Sequence, residues 1–329
     1  MSDSTSAAAA AADARAAAAP VARPPSTFER LSNRGFTGAT RVLTWGVVVL
    51  AGYIIWEIGG HALPAIREYG VGFLTGTEWN PNRGEFGILP QIWGTVYSSL
   101  LALLMAGFVG LTIAIFLTQG FLPRTLETTF RYIVELLAAV PSVVYGLWGI
   151  HVVIPMLRPV ANWLHAELSW IPFFSTTLSG PGMFPAALVL AIMILPTVAA
   201  VSQDALRAVP HKMKEAVYGI GATRWEAIVK VIVPAAATSI FGAMVLGLGR
   251  ALGETMALAM LVGNSNQITL SLFSPANTLA AALALNFPEA GRIEAQALMY
   301  SAVVLLAITL VVNVIGAAIV TRAAKRLEA

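Results

Sequence analysis

The sequence predicts an all-α integral membrane protein with six transmembrane helices. Of its 329 residues, 57% are hydrophobic and 11% are charged, whereas a soluble protein averages about 25% charged residues. Five long stretches contain no Asp, Glu, Lys or Arg, and a membrane-spanning helix needs about 20 apolar residues. The charge-free stretches are 86–123, 136–157, 168–203, 231–249 and 295–321.

The composition also excludes several classes of function. The formal net charge of +3 is too small to support nucleic-acid binding. The chain has no cysteine, which excludes disulfides and thiol chemistry. No G-x-x-x-x-G-K-[ST] loop occurs, because none of the four lysines follows a glycine, and the chain therefore lacks the usual means of hydrolysing ATP.

The first 41 residues precede the predicted membrane domain. Residues 1–25 are rich in Ala and Pro, without a strong apolar block, and we expect a disordered cytoplasmic tail. Ser26 and Glu29 have the spacing of a capping box. Arginines alternate with apolar residues after it, which predicts an amphipathic helix over 26–41 on the inner membrane surface.

The remainder of the chain, 42–329, divides into six predicted spans. We expect Pro141 to kink the third span, and Pro155 and Pro159 to end it. Glu135, near the inner end of that span, is expected to reach the lipid headgroups. The spans are predicted at about 42–60, 92–118, 132–154, 184–201, 235–262 and 295–320.

The positive charges orient these spans. Fifteen of the 20 Lys and Arg fall in the N-terminal region, the 124–131 turn, the 204–234 loop and the C-terminus, and only four fall in the alternate loops. Because cytoplasmic loops carry the excess of Lys and Arg, both termini and the 204–234 loop are predicted to be cytoplasmic.

The 204–234 loop is the longest polar interruption in the C-terminal half. Good helix formers occupy 212–218 and 224–233, and Gly219 and Gly221 lie between them. The pattern predicts two short helices joined by a tight glycine turn. A short rigid helix with an exposed carboxylate is suited to be held by a partner protein.

The loop resembles the E-A-A motif of ABC-importer permeases. Glu215, Ala216, Val217, Gly221 and Pro234 stand at the motif's positions, with Val217 in place of the motif's second Ala. The resemblance implies the type I ABC-importer permease fold and a coupling helix that docks on a separate ATPase subunit.

The fifth span contains two charged residues four positions apart, Arg250 and Glu254. On a continuous helix this spacing puts both on one face and predicts an ion pair. An Arg at the bilayer centre costs at least about 2.5–3.5 kcal/mol, so this face must point at protein or water. The guanidinium suits a tetrahedral oxyanion, and Thr255 is a further candidate donor. A purely structural ion pair explains the two charges equally well.

Small residues surround this pair. Gly249 and Gly253 form a G-x-x-x-G pair, and Ala243 and Gly247 repeat the same spacing. Such residues let a second helix approach closely. We expect that helix to come from a second permease subunit.

The segment around the pair, GRALGETMA at 249–257, resembles the permeases of bacterial phosphate-specific ABC importers, as do 87–100, 137–149 and 271–290. In that group the Arg and Glu are thought to line the phosphate path, which implies this role for Arg250 and Glu254. The resemblance further implies a bacterial inner-membrane location and three kinds of partner. These are a second permease, an ATPase dimer that binds ATP and Mg²⁺, and an extracytoplasmic phosphate-binding protein.

The resulting hypothesis is a transport subunit that is not an enzyme and holds no metal or other cofactor. One alternative is an importer permease for another oxyanion, such as sulfate or molybdate. A second is a proton- or sodium-driven secondary transporter with Glu254 as proton carrier, and a third is an intramembrane enzyme. The coupling loop argues against the second, and the lack of a His/Asp or Ser/Lys set within the spans argues against the third.

Overall fold

The computed structural model describes residues 26–328, with side chains from 26 to 322. The predicted tail at 1–25 lies outside the described residues. Six helices of the described part are long and apolar enough to cross a membrane, which confirms an all-α membrane fold. They lie at Thr27–Tyr69, Leu89–Thr118, Ser142–Leu168, Met183–Arg207, Arg224–Leu252 and Arg292–Arg322.

Of the described residues, 26–56 form one compact unit and 57–328 form another. Helix α1, Thr27–Tyr69, begins with the predicted capping box, since Glu29 N donates to Ser26 Oγ at 3.2 Å and Ser26 N to the Glu29 carboxylate at 2.6 Å. The helix has no break near Arg41, so 26–41 is not the separate helix that the sequence predicted. Its place on the membrane surface stays a prediction.

The elements after α1 alternate long helices with short ones. A small antiparallel pair of strands, β1 and β2, pairs Trp79 with Phe86. The elements are α2 Gly72–Thr75, β1 Trp79–Asn80, β2 Glu85–Phe86, α3 Leu89–Thr118, α4 Arg124–Ala139, α5 Ser142–Trp148, α6 Ile154–Leu168, α7 Met183–Arg207, α8 His211–Gly219, α9 Arg224–Ala227, α10 Val233–Leu252, α11 Met256–Leu261, α12 Leu279–Asn286 and α13 Arg292–Glu328.

Helix α7 is the central helix of the second unit and the most deeply buried of the six spans. It packs along α3 through small residues, and a Cβ at Gly110 would stand 3.2 Å from Val198. Because lipid tails are as apolar as the helices, close approach at small residues supplies the packing energy between spans. The second unit therefore has α3 and α7 as its core, with α10 packed on both.

The predicted boundaries of the third span, 132–154, are wrong. Val140 is extended and Pro141 follows it, so the helix breaks there into α4 and α5. The span runs instead over Ser142–Leu168, through a π-helical turn at Gly149–Val153. That wider turn accommodates the ring and missing N–H of Pro155, which consequently does not end the helix.

The fifth span, predicted at 235–262, is also displaced. It begins at Arg224, passes a second π-helical turn at Ile228–Ile232, and ends at Leu252. Pro234 follows this π turn as Pro155 follows the first, and it too lies inside the helix. The loop's second short helix is therefore the beginning of a span, and the span's predicted outer third is a separate helix, α11.

Candidate functional site

Arg250 lies in the last turn of α10 and is exposed in the chain described. Its Nη1 donates to Thr197 Oγ1 of α7 at 3.2 Å. Within residues 26–322, no carboxylate lies within 4.0 Å of it. A cation at the C-terminal end of a helix is favoured by the helix dipole. The guanidinium is thus held by one neutral hydroxyl, and its other donors are available to an anion.

The predicted ion pair between Arg250 and Glu254 is wrong. Helix α10 ends at Leu252, and Gly253 and Glu254 lie in the break before α11. Glu254 Oε1 instead accepts from Ala257 N at 3.4 Å, at the beginning of α11. Four-residue spacing brings side chains together only on an unbroken helix. Here the helix breaks between the two residues, so Arg250 lies at the end of α10 and Glu254 just before α11.

Thr255 lies in the same break. Its Oγ1 donates to the carbonyl of Gly253 at 3.2 Å, so the hydroxyl bonds local backbone. The side chain also lines an apolar cavity of about 450 Å³ together with Ala284 and Met299. A role for Thr255 in contacting substrate stays a prediction.

The small residues of α10 pack within the chain itself. A Cβ at Gly249 would lie 3.1 Å from the side-chain oxygen of Asn313 in α13, and one at Gly247 would lie 2.8 Å from Val198 in α7. The helix that approaches Gly249 is therefore α13 of this chain, where we had expected a second permease. Gly253 has no atom of another element within 4 Å, and its predicted partner helix stays a prediction.

The loop between α7 and α9 forms the predicted helix and turn. Helix α8 ends in a Schellman motif, in which Gly221 N donates to Tyr218 O at 3.0 Å and Ala222 N to Val217 O at 3.3 Å. Gly221 has a φ of +86°, which favours glycine. Glu215 is exposed, with only His211 nearby at 3.8 Å, and Ala216 is exposed beside it.

The turn is fastened to α9 by a capping box. Thr223 Oγ1 accepts from Glu226 N at 3.3 Å, and the Glu226 carboxylate accepts from Thr223 N at 3.1 Å. Arg224 then donates to Gly120 O at 3.1 Å and lies over the ring of Phe121. The loop is thereby tied to the end of α3.

Buried apolar residues anchor the loop to the membrane helices. Ile228 and Ile232 are fully buried against Leu206 and Val209, next to Ala114 of α3. By contrast, Ile220 is 85% exposed and Trp225 64% exposed, beside the exposed Tyr218. Exposed apolar side chains on a rigid, anchored turn are typical of a protein-docking surface.

Asparagines between α11 and α12 form a buried cluster of side-chain amides. Asn277 is 2% exposed, and its Nδ2 donates to Asn264 Oδ1 at 2.9 Å, while Gln91 Nε2 donates to Asn266 Oδ1 at 3.0 Å. This buried amide cluster fastens the 263–278 segment to the beginning of α3. Asn264 has a φ of +48°, a left-handed conformation that Asn tolerates. An Asn at this position was the one sequence feature that could have indicated a structured turn.

Comparison with solved structures identifies the fold. A bacterial alginate ABC transporter crystallised with its alginate-bound periplasmic protein gives a TM-score of 0.56 at 17% identity, covering 86% of this chain and 93% of the other. An inward-facing MetNI methionine ABC transporter gives 0.54 at 18% identity, covering 72% and 95%. The architecture is that of an ABC-importer permease.

Sequence comparison identifies the family. Residues 110–329 match the model of the binding-protein-dependent transport system inner membrane component. The phosphate transport system permease protein PstC of Mesorhizobium japonicum is 38% identical over 87% of this chain and 89% of its own length. PstC of Haemophilus influenzae is 39% identical over 87% and 92%. The chain belongs to the family of binding-protein-dependent transport system inner membrane components. It is a multi-pass protein of the inner membrane.

Proposed function

We propose that this chain is the permease subunit of an ATP-driven importer of inorganic phosphate. The observation that carries the proposal is Arg250, a guanidinium at a helix break within the membrane part, bonded to a hydroxyl and to no carboxylate. A cation with free donors, placed within a membrane-spanning segment, favours an anionic substrate. Support for phosphate comes from the similar proteins, which are phosphate transport system permeases.

Energy for transport comes from partner chains in this proposal. Both termini and the 204–234 loop face the cytoplasm, where the Ile220 and Trp225 surface docks on one subunit of an ATPase dimer that binds ATP and Mg²⁺. Glu215, Ala216, Val217, Gly221 and Pro234 belong to this coupling region. The chain itself catalyses no reaction. A second permease subunit completes the path, and an extracytoplasmic phosphate-binding protein delivers the anion.

The mechanism is alternating access. Movement of the docked α8 is passed through the capped turn and the buried Ile228 and Ile232 to α10. The far end of that helix carries Arg250, so ATPase closure changes the surroundings of the guanidinium. Glu254 lies in the break between α10 and α11, where it is placed to repel an anion that stays at Arg250 too long.

Membership in the binding-protein-dependent family does not favour the proton-driven transporter or the intramembrane enzyme. The remaining rival is import of sulfate or molybdate. Reconstituting the full complex in liposomes with its binding protein tests phosphate import against import of sulfate or molybdate. We expect ATP-dependent uptake of phosphate that excess sulfate or molybdate does not inhibit. Uptake of either of those anions in place of phosphate would contradict the proposal.

A further inference from the structure

A cleft of about 470 Å³ that contains several charged side chains lies between α4 and α7. Helix α4 contributes Arg131 and Glu135 to its lining, and α7 contributes Thr197, Asp204 and Arg207. None of these residues was predicted from sequence to line the substrate path, and Glu135 was expected to reach lipid headgroups. The cleft has room for a hydrated oxyanion together with the side chains that would hold it.

The cleft is continuous with the Arg250 site. Thr197, which accepts the hydrogen bond from Arg250, is also the cleft residue nearest to it along α7. Residues 197, 200, 204 and 207 share one face of α7, because they are separated by about one helical turn each. At about 1.5 Å per residue, this face extends roughly 15 Å from Thr197 to Arg207, toward the docking loop.

Two guanidiniums at the loop end of the cleft share one carboxylate. Arg131 Nη2 lies 2.7 Å and Arg207 Nη2 lies 3.5 Å from the same Oε1 of Glu127. Arg131 Nε is buried and has no hydrogen-bond partner. The two arginines therefore have more donors than Glu127 satisfies, and an oxyanion in the cleft would supply acceptors to both.

We propose that this cleft is the inner part of the phosphate path, and that Arg131 and Arg207 bind the anion there after it leaves Arg250. The inference rests on the proposed function of the chain. Phosphate displaces Glu127 from the two guanidiniums as it arrives, and Glu127 displaces phosphate as it leaves. Glu135 and Asp204 balance the two positive charges of the lining, which keeps the anion's stay short.

A lipid headgroup offers the same phosphate chemistry as the free anion. The cleft favours the free anion, because its polar side chains extend away from the docking loop as far as Thr197, which bonds Arg250. A headgroup, by contrast, stays at the membrane surface with its acyl chains in lipid. The two sources are separated by supplying them independently.

The chain contains no cysteine, so a single introduced thiol reports on the cleft. Ala200→Cys places that thiol on the exposed cleft face of α7, between Thr197 and Asp204. Inside-out vesicles holding the assembled complex are treated with an anionic methanethiosulfonate reagent. We expect inorganic phosphate to slow labelling at least threefold, with the unsubstituted complex setting the background.

Matched variants complete the test. Ala208→Cys, an exposed position just beyond α7 and outside the cleft lining, should be labelled at a rate that phosphate leaves unchanged. Adding Arg131→Gln with Arg207→Gln should abolish the protection at Ala200→Cys, whereas Arg124→Gln, at the exposed beginning of the same helix α4, should preserve it.

Three outcomes would overturn the inference. Protection that persists without Arg131 and Arg207 would show that they do not hold the anion. Protection that follows anionic lipid content without free phosphate would assign the cleft to a headgroup. Unprotected labelling in a complex that imports phosphate would place the path elsewhere and leave the proposed function standing. If the unsubstituted complex imports no phosphate, the proposed function itself has failed.

Discussion

The two ends of the helix run Arg224–Leu252 are built in opposite ways. The first end has a capping box at Thr223, a cation over an aromatic ring, and buried Ile228 and Ile232. The second end stops at Gly253, and Arg250 in its last turn is held by one neutral hydrogen bond. The first end, which we call the fastened end, can transmit a movement of the docking loop to the helix. At the second end, which we call the broken end, such a movement can change the surroundings of Arg250.

This difference gives the two ends different sensitivities. Substitutions at the fastened end should alter stability or partner docking, because each removes a defined cap, turn or docking contact. Substitutions at the broken end should alter transport and leave assembly intact, because few contacts depend on them. The predictions below test that division, beginning with the largest effect.

Arg250→Ala should reduce phosphate uptake by the reconstituted complex about a hundredfold or more. A hydrogen bond to a charged group contributes about 1.5–3 kcal/mol, and the guanidinium can offer more than one to the anion. Uptake of labelled phosphate measures the effect, and co-purification of the partner chains measures assembly. Arg292→Ala, an exposed arginine at the beginning of α13, is the control. Normal uptake by Arg250→Ala would remove this residue from the path.

Ile220→Ser should weaken association with the ATPase about tenfold or more. Fully burying an isoleucine side chain contributes about 1.5–3 kcal/mol, and Ile220 is 85% exposed without its partner. Pull-down with titrated ATPase subunit measures the change. Ile268→Ser, at an exposed isoleucine outside the loop, should have no effect. Equal losses for both would indicate general instability and contradict a docking surface at Ile220.

Gly221→Ala should destabilise the chain by about 1–2 kcal/mol, the cost of a left-handed conformation for a residue with a Cβ. No atom lies near the added Cβ, so the whole effect comes from the backbone φ of +86°. Gly219→Ala, in the last turn of α8 with equally open surroundings, should instead stabilise by up to about 1 kcal/mol. Thermal unfolding of the complex measures both, and two changes of the same sign would refute the turn geometry.

Residue patterns predicted the glycine turn before α9 and the cap of α1, because their signals are local. A glycine between two helix formers and a Ser or Thr three residues before a Glu specify a turn or a cap through neighbouring backbone groups. Gly221 in the loop and Ser26 at the beginning of α1 were both predicted correctly. The number of long apolar segments likewise predicted the number of spans, because the bilayer sets the length that each needs.

The broken end could not be predicted because its geometry depends on distant contacts. The helical pattern continues without a proline through residues 247–261, GLGRALGETMALAML. A single glycine such as Gly253 is tolerated within many helices. Alanines and leucines of α11 instead pack into a core cluster with α5 and α7. Pro155 misled in the opposite direction, since a π turn before it allows the helix to continue.

The smallest expected effect is the coupling energy between Arg250 and Glu254 at the broken end. If Arg250 and Glu254 are independent, replacing both should change the free energy of unfolding by the sum of the single changes. The coupling energy should then stay within about 0.5 kcal/mol, as for sites without shared contacts. A thermal-unfolding cycle of Arg250→Gln, Glu254→Gln and the double variant measures it, because Gln removes either charge and leaves a polar side chain. Arg131→Gln with Glu127→Gln is the positive control, because those groups lie 2.7 Å apart. A coupling of similar size at both pairs would mean that Arg250 and Glu254 form an ion pair after all, and the contrast between the two helix ends would no longer hold.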